Sequence, residues 1–546
     1  MSDDLSSDPD CLRVLLATDN HLGVHEKDEV RKGDALATFR EILEYARSNE
    51  VDCVFLGGDL FHENKPTRGT VVKTLELLRE YCLGDRPVRF EVVSDGSTNF
   101  PRNKRSNFED PNLNVELPIF MVHGNHDDPA GAESLSAIDV LSAANLVNYF
   151  GKTQLAGNGP GKIRLFPVLL RKGGTHVALY GLGYLRDARL HQMFLQPGEV
   201  EWVRPQSTPQ VPQASWFNVM LVHQNRSAHN PKNCVHDAFL AEWLDFVLWG
   251  HEHECKPELE KSKAPNSEFV IAQLGSSVAT SLDEGESRKK HCMLLEIKGD
   301  QFRTTRLPLN TVRPYAYEQV CLRQELDGVE PSDAGEVERF LVSKVEAMVK
   351  KALKSRHPDA PELPLVRLRV DSSGGFATLN AQKFGQRFVG RVANPDDVLL
   401  FHKKAATKAQ REEAAGEGGE KARRGPVTAE DIGLEGFRPE EEDQAHIEAL
   451  ITENLDTSLA LLDEERLGEA LADFVHKEET KALEKFLKDE LRRTQATMLQ
   501  DDFEPEANDK EMEKQIKRRL EERRQQDELA GPARRRAAGA GAAAAG

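Results

Sequence analysis

The chain is poor in several features that would place it in a particular class of protein. Aromatic residues make up only 6% of its 546 residues, so we expect no large surface for stacking bases. No apolar run approaches the roughly 20 residues of a transmembrane helix. The acidic start, Met1-Ser2-Asp3-Asp4, does not resemble a signal peptide. The formal net charge of −19 argues against a simple basic nucleic-acid-binding protein, although a local basic patch can dominate a site.

Cysteine is also scarce, and its positions do not suggest paired thiols. The seven cysteines are Cys11, Cys53, Cys82, Cys234, Cys255, Cys292 and Cys321. Their number is odd, and no two of them form a Cys-x-x-Cys pair. These features predict reduced thiols in a cytosolic or nuclear compartment.

The length predicts about three or four structural units. Strand-like runs alternate with helical patterns from Leu12 to about Leu307, which predicts stacked α/β layers. Composition then divides the chain into a disordered N-terminus (1–10), an α/β domain (11–310), a second folded unit (311–401), a linker (402–436), a helical segment (437–500), and a charged, Ala/Gly-rich tail (501–546). Helices are predicted at 34–49, from about 66 to 82, at 132–144 and at 334–354. The polar, locally basic stretch Ser94–Pro111 is predicted to be a functional or disordered loop.

Seven polar side chains follow short apolar runs that are typical of buried strands. They occur in five segments: Asp-x-His, Gly-Asp-x-x-His, Gly-Asn-His-Asp, a lone His, and Gly-His-x-His. In chain order, the seven residues are Asp19, His21, Asp59, Asn125, His223, His251 and His253. In an open α/β sheet, ligands bind outside the carboxyl ends of the strands. Five distant segments therefore bring these side chains to one edge. A single Asp-x-His or His-x-His is weak evidence and Gly-Asn-His-Asp is stronger, but all five elements in this order are specific.

This set of residues predicts a centre of two divalent metals. Two such metals lie about 3.5–4 Å apart and need a bridging ligand, a role that fits the Asp59 carboxylate because Gly57 and Gly58 leave room around its backbone. One metal would take Asp19, His21 and His253, and the other would take Asn125, His223 and His251. Imidazole and oxygen ligands without thiolate favour Mn, Fe or Zn. Such a centre activates water for in-line attack on phosphorus.

Two further histidines and one carboxylate are predicted to take part without binding metal. His126 follows Asn125 directly and is a candidate general acid for the leaving oxygen, with Asp127 orienting its ring. His62, three residues after Asp59, could contact a phosphate oxygen or the substrate backbone. Basic residues near the motif loops could hold a polyanionic substrate, and these candidates are Lys65, Arg68, Arg102, Lys104 and Arg105.

The sequence around the five motifs resembles the calcineurin-like metallophosphoesterases. The stretches LLATDNHLGVHEKDEVRKGD, FLGGDLFHENKPTRGT, VHGNHDDPAGAESLSAIDVL, LVHQNR and LWGHEHEC narrow the resemblance to the eukaryotic Mre-eleven nucleases, relatives of bacterial SbcD. LVRLRVDSSGGF and FVGRVANPDD, at about 365–397, resemble that family's DNA-capping domain. ALADFVHKEETKALEKFL, near 470–487, extends the resemblance more loosely.

The resemblance implies a layered α/β/β/α metallophosphoesterase core, a smaller α+β capping domain and a C-terminal helical partner-binding segment. It implies a nuclear, Mn-dependent DNA nuclease with two Mn²⁺ per subunit. Its activities would be single-strand endonuclease and 3′→5′ double-strand exonuclease, in double-strand-break repair. The family's seven metal ligands map onto the seven residues above, its catalytic histidine onto His126, and its second phosphate-side histidine onto His62.

The resemblance also implies partners. These are a second copy of the chain, an ABC-type, SMC-like coiled-coil ATPase and a Nijmegen-breakage-type adaptor, and no membrane is expected. The dimer would use the helices at about 66–82 and 132–144, and the adaptor would contact Ser94–Pro111. The predicted ATPase contacts are Leu467, Leu471, Phe474, Leu483, Phe486 and Leu487.

The sequence departs from the family pattern at two places, and two alternative functions stay open. Leu274 stands where the family usually has proline, and no Gly-Arg repeats follow Arg534-Arg535-Arg536. The same motifs would also suit a calcineurin-like phosphatase or small-molecule phosphodiesterase, and a scaffold could carry an inactive version of the site.

Overall fold

The computed structural model describes residues 8–131, 133–153, 162–226, 234–326, 330–376 and 378–403. These residues lie within one compact unit, Met1–Ala409. Most of the predicted linker, the predicted helical segment and the tail lie outside the described residues. So do the six predicted ATPase contacts: Leu467, Leu471, Phe474, Leu483, Phe486 and Leu487.

The described residues form eighteen strands and eight α-helices. In chain order, the strands are β1 (Leu12–Ala17), β2 (Cys53–Leu56), β3 (Glu91–Val92), β4 (Ile119–Met121), β5 (Asn148–Tyr149), β6 (Ile163–Leu165), β7 (Val168–Lys172), β8 (Thr175–Leu182), β9 (Val200–Trp202), β10 (Phe217–His223), β11 (Phe246–Gly250), β12 (Glu260–Lys261), β13 (Val270–Ala272), β14 (His291–Lys298), β15 (Gln301–Pro308), β16 (Tyr315–Cys321), β17 (Leu365–Asp371) and β18 (Leu399–His402). The helices are α1 (Asp34–Ser48), α2 (Arg68–Cys82), α3 (Gly96–Asn99), α4 (Ala137–Ala143), α5 (Asp187–Leu195), α6 (Leu322–Glu325), α7 (Ala334–Lys354) and α8 (Ala381–Gly385). Among the helices of this described part, none has both the length and the apolar character that crossing a membrane requires.

Two large sheets form the first domain. The first sheet has the order β15-β14-β1-β2-β4-β5, and the second has the order β12-β13-β11-β10-β8-β7-β3. In the first sheet, β1, β2, β4 and β5 run parallel to one another. In the second sheet, β8, β10, β11 and β13 run parallel to one another. The carboxyl ends of the central strands in each sheet therefore point to a common edge, which is where a ligand site is expected.

Alternating side chains of β1 show how the layers are built. Leu15 and Ala17 belong to the apolar cluster that the first sheet shares with α1, α2 and α4. Val14 and Leu16 belong to the cluster between the two sheets, because successive side chains of a strand point to opposite faces. On the outer face of the second sheet, a third cluster contains Trp249 and includes residues of α5. The layer order α/β/β/α confirms the predicted fold class.

Two of the predicted helix boundaries need correction. Helix α2 begins at Arg68 rather than near Pro66, because the Thr67 side chain accepts the Thr70 N–H and caps the helix. Helix α4 begins at Ala137, five residues later than predicted. The reason is a capping box in which Ser136 and Asp139 satisfy each other's backbone N–H groups.

The second folded unit, which we call the capping unit, consists of β16–β18 and α6–α8. Its three strands are parallel in the order β16-β17-β18, and α7 lies in the connection from β16 to β17. Apolar side chains of α7 and of one sheet face form its core. The capping unit is attached to the first domain by the buried ion pair between Arg313 and Asp34, with Nε to Oδ2 at 2.7 Å. A small apolar cluster of Ala279, Leu365 and Ala393 forms a second attachment.

The stretch Ser94–Pro111 is packed against the first domain. It contains α3, and the buried Asn107 exchanges hydrogen bonds with Asn148 next to it in space, with N to Oδ1 at 2.7 Å. Asn103 donates to the carbonyl of Ser142, the last but one residue of α4, at 2.8 Å. The stretch is thus a structured excursion on the α4 side of the first sheet.

Candidate metal centre

The structure brings all seven predicted metal ligands together at the carboxyl edges of the two sheets. Three groups of potential ligand atoms each lie within 4.8 Å of one another. Asp19, His21, Asp59 and His253 form the first, and Asp59, His223 and His251 form the second. The third consists of His21 with His62 and His126, the two histidines that were not predicted to bind metal. Asn125 joins the second group, because its Oδ1 lies 2.8 Å from His251 Nδ1 and 3.3 Å from His223 Nε2. The division into two groups, with Asp59 common to both, is the one that the sequence predicts.

The Asp59 carboxylate lies between the two groups. Its Oδ1 accepts the backbone N–H of His126 at 2.9 Å. Its Oδ2 is buried, has no hydrogen-bond partner among the described residues, and lies 3.7 Å from His21 Nε2 and 3.3 Å from His223 Nε2. Leaving a buried carboxylate oxygen without a partner is costly unless a cation compensates it. The residues present therefore fit divalent cations on both sides of Asp59.

The imidazole nitrogens that face away from the centre have their own partners. The contacts are His223 Nδ1 with Gly57 O at 2.8 Å, His251 Nε2 with Asn225 Oδ1 at 3.0 Å, and His253 Nδ1 with Glu286 Oε1 at 3.1 Å. Metal-binding histidines usually donate this outer N–H to an oxygen acceptor, which leaves the inner nitrogen as a lone pair. The same arrangement at three of the histidines supports their role as ligands.

The pKa values show what balances the buried carboxylates when protons are the only cations. Burial opposes the charged form of His223, but the carboxylates of Asp59 and Asp19 outweigh it and raise the pKa of His223 to about 10. Burial likewise opposes protonation of His253, but Glu286 and Asp19 raise its pKa to about 9. A metal ion at these nitrogens must displace a proton, so metal affinity will depend on pH.

The backbone is strained at four of the seven ligands. Asp19, His21, Asp59 and His251 have φ angles of +50°, +46°, +48° and +78°, in the left-handed region that side chains other than glycine rarely adopt. Such residues cost on the order of 1–3 kcal/mol each and persist where the surrounding structure fixes them, often at functional sites. Their concentration here is a second indication that this edge is the active site.

Two glycines of the motifs allow the close approach of the ligands. A Cβ atom on Gly58, whose φ is +107°, would lie 2.3 Å from His223 Nδ1. A Cβ atom on Gly124 would lie 2.0 Å from Asp59 Oδ1. Neither position can hold a side chain without displacing a ligand.

His126 and His62 lie side by side next to the first group of ligands. Their rings are stacked, with centroids 5.0 Å apart and planes at 18°. Nδ1 of His126 donates to the backbone carbonyl of His62 at 2.7 Å, so its Nε2 is left for other partners. Nδ1 of His62 lies 3.3 Å from His21 Nδ1. Burial, together with His126, lowers the pKa of His62 to about 3.

The prediction that Asp127 orients the ring of His126 is wrong. The Asp127 carboxylate is fully buried and accepts the backbone N–H groups of Leu60 at 2.8 Å, Phe61 at 3.2 Å and Gly124 at 2.7 Å. It therefore fastens the loop after β2 to the loop after β4. The His62 carbonyl takes the orienting role that the sequence assigned to Asp127.

Several residues that support the ligands were not predicted. Glu286 and Thr280 contact His253, and Asn225, which contacts His251, is itself held by Asp187 with Nδ2 to Oδ2 at 2.8 Å. Asn225 follows His223 within LVHQNR, so a signal for it was present in the sequence. Glu286 is 33 residues from His253 and belongs to no motif, so no spacing rule could have found it.

The predicted basic contacts fall in two places. Lys65 is exposed on the connection between His62 and α2, and Arg68 is exposed at the first position of α2. Arg102, Lys104 and Arg105 are exposed on the Ser94–Pro111 stretch, where Arg102 Nη2 lies 3.4 Å from Asp139 Oδ1 of α4.

Leu274, which replaces the family's usual proline, is buried between the two sheets. The residues after it still approach the site. The backbone N–H of Ser277 donates to Asp19 O at 3.1 Å, and that of Ser276 donates to His253 O at 3.2 Å. The substitution therefore leaves this loop against two of the ligands.

The fold and the site define a metal-dependent hydrolase of the calcineurin-like phosphoesterase class. Residues 12–255 match the family described as "Calcineurin-like phosphoesterase". Residues 302–474, which include the capping unit, match the family described as "Mre11 DNA-binding presumed domain".

Relatives over nearly the whole chain identify the family. "Double-strand break repair protein MRE11" of Oryza sativa subsp. indica is 49% identical over 499 residues, which are 90% of this chain and 68% of that protein. The protein of the same name from Homo sapiens is 43% identical over 504 residues, 90% of this chain and 68% of that protein. The chain belongs to the MRE11 family. Among solved structures, TT1561 of Thermus thermophilus is 10% identical, and the match spans 54% of this chain and 98% of TT1561. Its TM-score of 0.27 is too low to bear on the fold.

Proposed function

We propose that this chain is a Mn²⁺-dependent DNA nuclease that processes DNA ends in double-strand-break repair in the nucleus. The observation that carries the proposal is the pair of ligand groups that share Asp59, whose buried Oδ2 faces ring nitrogens of both groups and has no hydrogen-bond partner among the described residues. Each subunit would bind two Mn²⁺, one through Asp19, His21 and His253 and one through the second group. When bound, the cations would supply positive charge that stabilises the phosphoryl oxygens and makes a water molecule easier to ionise.

His126 is the residue that we propose to protonate the leaving oxygen. The hydrogen bond from its Nδ1 to the His62 carbonyl holds the ring while Nε2 points elsewhere. An imidazolium can release the Nε2 proton and keep this hydrogen bond, so the ring would not have to turn during the reaction. His62, stacked on His126, would hold the substrate phosphate beside it.

We propose that DNA is held mainly through its phosphates. In addition to Lys65, Arg68 and the basic residues of Ser94–Pro111, the capping unit offers Arg367 and Arg369, which lie two residues apart and so share one face of β17. Their Nε atoms are buried and have no hydrogen-bond partner among the described residues. Arg367 already donates from Nη1 to the carbonyl of Asp397 at 2.7 Å, so Arg369 is the stronger candidate for a phosphate ligand. In a chain with a net charge of −19, such local charges must supply the attraction.

We propose a homodimer formed through α2 and α4. Val72 on α2 is 51% exposed, and Val140 on α4 is 53% exposed, and a second copy of the chain packed on these helices would cover both side chains. The coiled-coil ATPase would bind the predicted helical segment at 437–500, and the adaptor would bind the Ser94–Pro111 stretch.

The decisive experiment compares DNA with a chromogenic phosphate ester. A nuclease cuts single-stranded and blunt DNA with Mn²⁺ and loses this activity with a chelator. A phosphatase or small-molecule phosphodiesterase would hydrolyse the ester and leave DNA intact, and an inactive scaffold would cleave neither. Repeating the assay with the ATPase present would show whether the partner is needed for end processing.

A further inference from the structure

Glu286 lies directly behind the metal ligand His253. Its Oε1 is 3.1 Å from His253 Nδ1, and Thr280 Oγ1 is 2.8 Å from the same nitrogen. The other ring nitrogen, Nε2, faces the centre, 3.1 Å from His21 Nε2 and 3.8 Å from Asp19 Oδ1. An N–H donated from Nδ1 to Glu286 leaves the lone pair on Nε2, which is the form that binds a metal.

The Glu286 carboxylate forms an ion pair with a buried lysine. Glu286 is 3% exposed and Lys290 is 4% exposed, and Lys290 Nζ lies 2.5 Å from Glu286 Oε2. A buried ion pair adds little net stability, because both charges must be removed from water. Stability alone therefore does not account for this pair.

The same carboxylate also holds a segment that contacts the capping unit. Oε1 accepts the backbone N–H of Thr280 at 3.1 Å and that of Ser281 at 3.4 Å. Ala279, immediately before them, is buried in one apolar cluster with Leu365 of the capping unit, and Leu282 packs against this cluster. One buried carboxylate thus contacts both a metal ligand and the segment on which the capping unit is seated.

We propose that Glu286 is a positioning residue that couples the metal ligand His253 to the seating of the capping unit. The inference rests on the proposed metal-dependent function. A cation bound at His253 would fix its ring, and through Glu286 it would fix residues 279–282 beneath Leu365. Because such coupling is reciprocal, a well-seated capping unit would also strengthen metal binding at His253.

The first test measures Mn²⁺ binding by calorimetry with the full chain. Glu286→Gln should weaken one of the two sites by roughly 10–100-fold, the usual effect of removing a residue that orients a metal ligand, and leave the other site unchanged. Glu284→Gln is the matched control, because Glu284 is exposed in the same turn and the change in charge is identical.

Glu286→Gln leaves Lys290 buried without its counter-ion, so a folding defect must be separated from a loss of coupling. The double variant Glu286→Gln, Lys290→Met removes both charges together and should restore thermal stability without restoring Mn²⁺ affinity. If either variant folds and binds Mn²⁺ at both sites as the wild type does, Glu286 has no positioning role.

The second test follows the coupling itself by hydrogen exchange. In the wild type, Mn²⁺ should slow exchange in the peptides covering residues 276–282 and 363–366, and Glu286→Gln should abolish this effect. Equal protection in the variant, or none in the wild type, would overturn the coupling. If the wild type binds no divalent cation at all, the proposed function fails first, so the two failures can be told apart.

Discussion

Replacing Asp59 by asparagine is the most direct test of the two-metal centre. Asparagine has almost the same shape, and its carbonyl oxygen can still accept the His126 N–H that Asp59 Oδ1 accepts at 2.9 Å. It removes the negative charge and puts an NH₂ group where the unpartnered Oδ2 lies between the two ligand groups. Asparagine also tolerates the φ of +48° at this position, whereas alanine adds roughly 1–2 kcal/mol of backbone strain.

The expected magnitudes differ between the free and the metal-loaded protein. Without metal, Asp59→Asn keeps the packing and the hydrogen bond to His126 but removes a carboxylate that pairs with protonated His223. Its free energy of unfolding should therefore fall, by up to about 3–5 kcal/mol, the cost of removing one partner of a buried ion pair. With Mn²⁺ at about 100 times its dissociation constant, the wild type should gain about 2.7 kcal/mol, and the variant should lose most of this gain. Thermal unfolding with and without Mn²⁺ measures both quantities, and cleavage of single-stranded DNA should fall to background.

The reasoning would fail if folded Asp59→Asn cut DNA at an appreciable rate or gained the full stabilisation from Mn²⁺. Asp59→Ala should also be inactive, but its lower stability would reflect backbone strain as well as the lost ligand. The asparagine variant is therefore the one on which the assignment depends.

Four further outcomes are expected. His126→Asn should retain Mn²⁺ and DNA binding while turnover falls about 10²–10⁴-fold, and loss of metal in calorimetry would make His126 a ligand instead. Arg369→Gln should weaken DNA binding and reduce the slope of log K against log salt by about 1. The control is Arg387→Gln, which should change neither quantity because Arg387 is already paired with Glu338 at 2.6 Å. Val72→Asp should give a monomer in light scattering, and a wild type that is already monomeric at micromolar concentration would contradict the dimer. Mn²⁺ affinity should rise by up to about tenfold per pH unit between about pH 6 and pH 8, because the proton on His223, whose pKa is about 10, must leave before the metal binds. An affinity that does not depend on pH would contradict this competition.

The sequence could predict that the seven candidate ligands lie together because a topological rule connects them. Each of the five motifs follows a strand, and the central strands of each sheet end at a common edge, so distance along the chain does not matter. The structure brings all seven side chains together, and their grouping around Asp59 agrees with the predicted division, which stays a prediction as far as metal binding is concerned. The fold class could be predicted from the same alternation of strands and helices.

The sequence failed where the side-chain direction or a tertiary contact decides the outcome. Asp127 follows His126 directly, yet its carboxylate turns into the interior and binds backbone N–H groups of two loops. Adjacency in sequence therefore gave the wrong partner for the ring. Glu286 reaches His253 only because the turn before β14 folds back over the site, and no local pattern records that approach.

The start of α4 shows a different kind of error, because two patterns in the sequence disagree there. One is the apolar periodicity of the helix, and the other is a capping box. Apolar periodicity continues back to Leu135, which favours an early start. The Ser136-Ala-Ile-Asp139 sequence is a capping box, and it begins the helix at Ala137. Where a cap and a periodic pattern disagree, the cap satisfies backbone groups that the pattern leaves unpaired, so it decides the boundary.

The charges around the site explain how such a centre can fold before it is loaded. Asp19, Asp59 and Glu286 are all buried, and three negative charges within one cluster of histidines would strongly oppose folding if nothing compensated them. Lys290 is a permanent counter-ion of Glu286. A proton on His223 can balance Asp59 and Asp19, and a proton on His253 can balance Glu286 and Asp19. Protons and metal ions are thus alternative counter-ions for the same ligands. Lys290 lies behind His253, whereas the protons that a metal ion would displace lie on the histidines of the centre. A metal ion can therefore bind by displacing these protons and leave the ion pair between Glu286 and Lys290 intact.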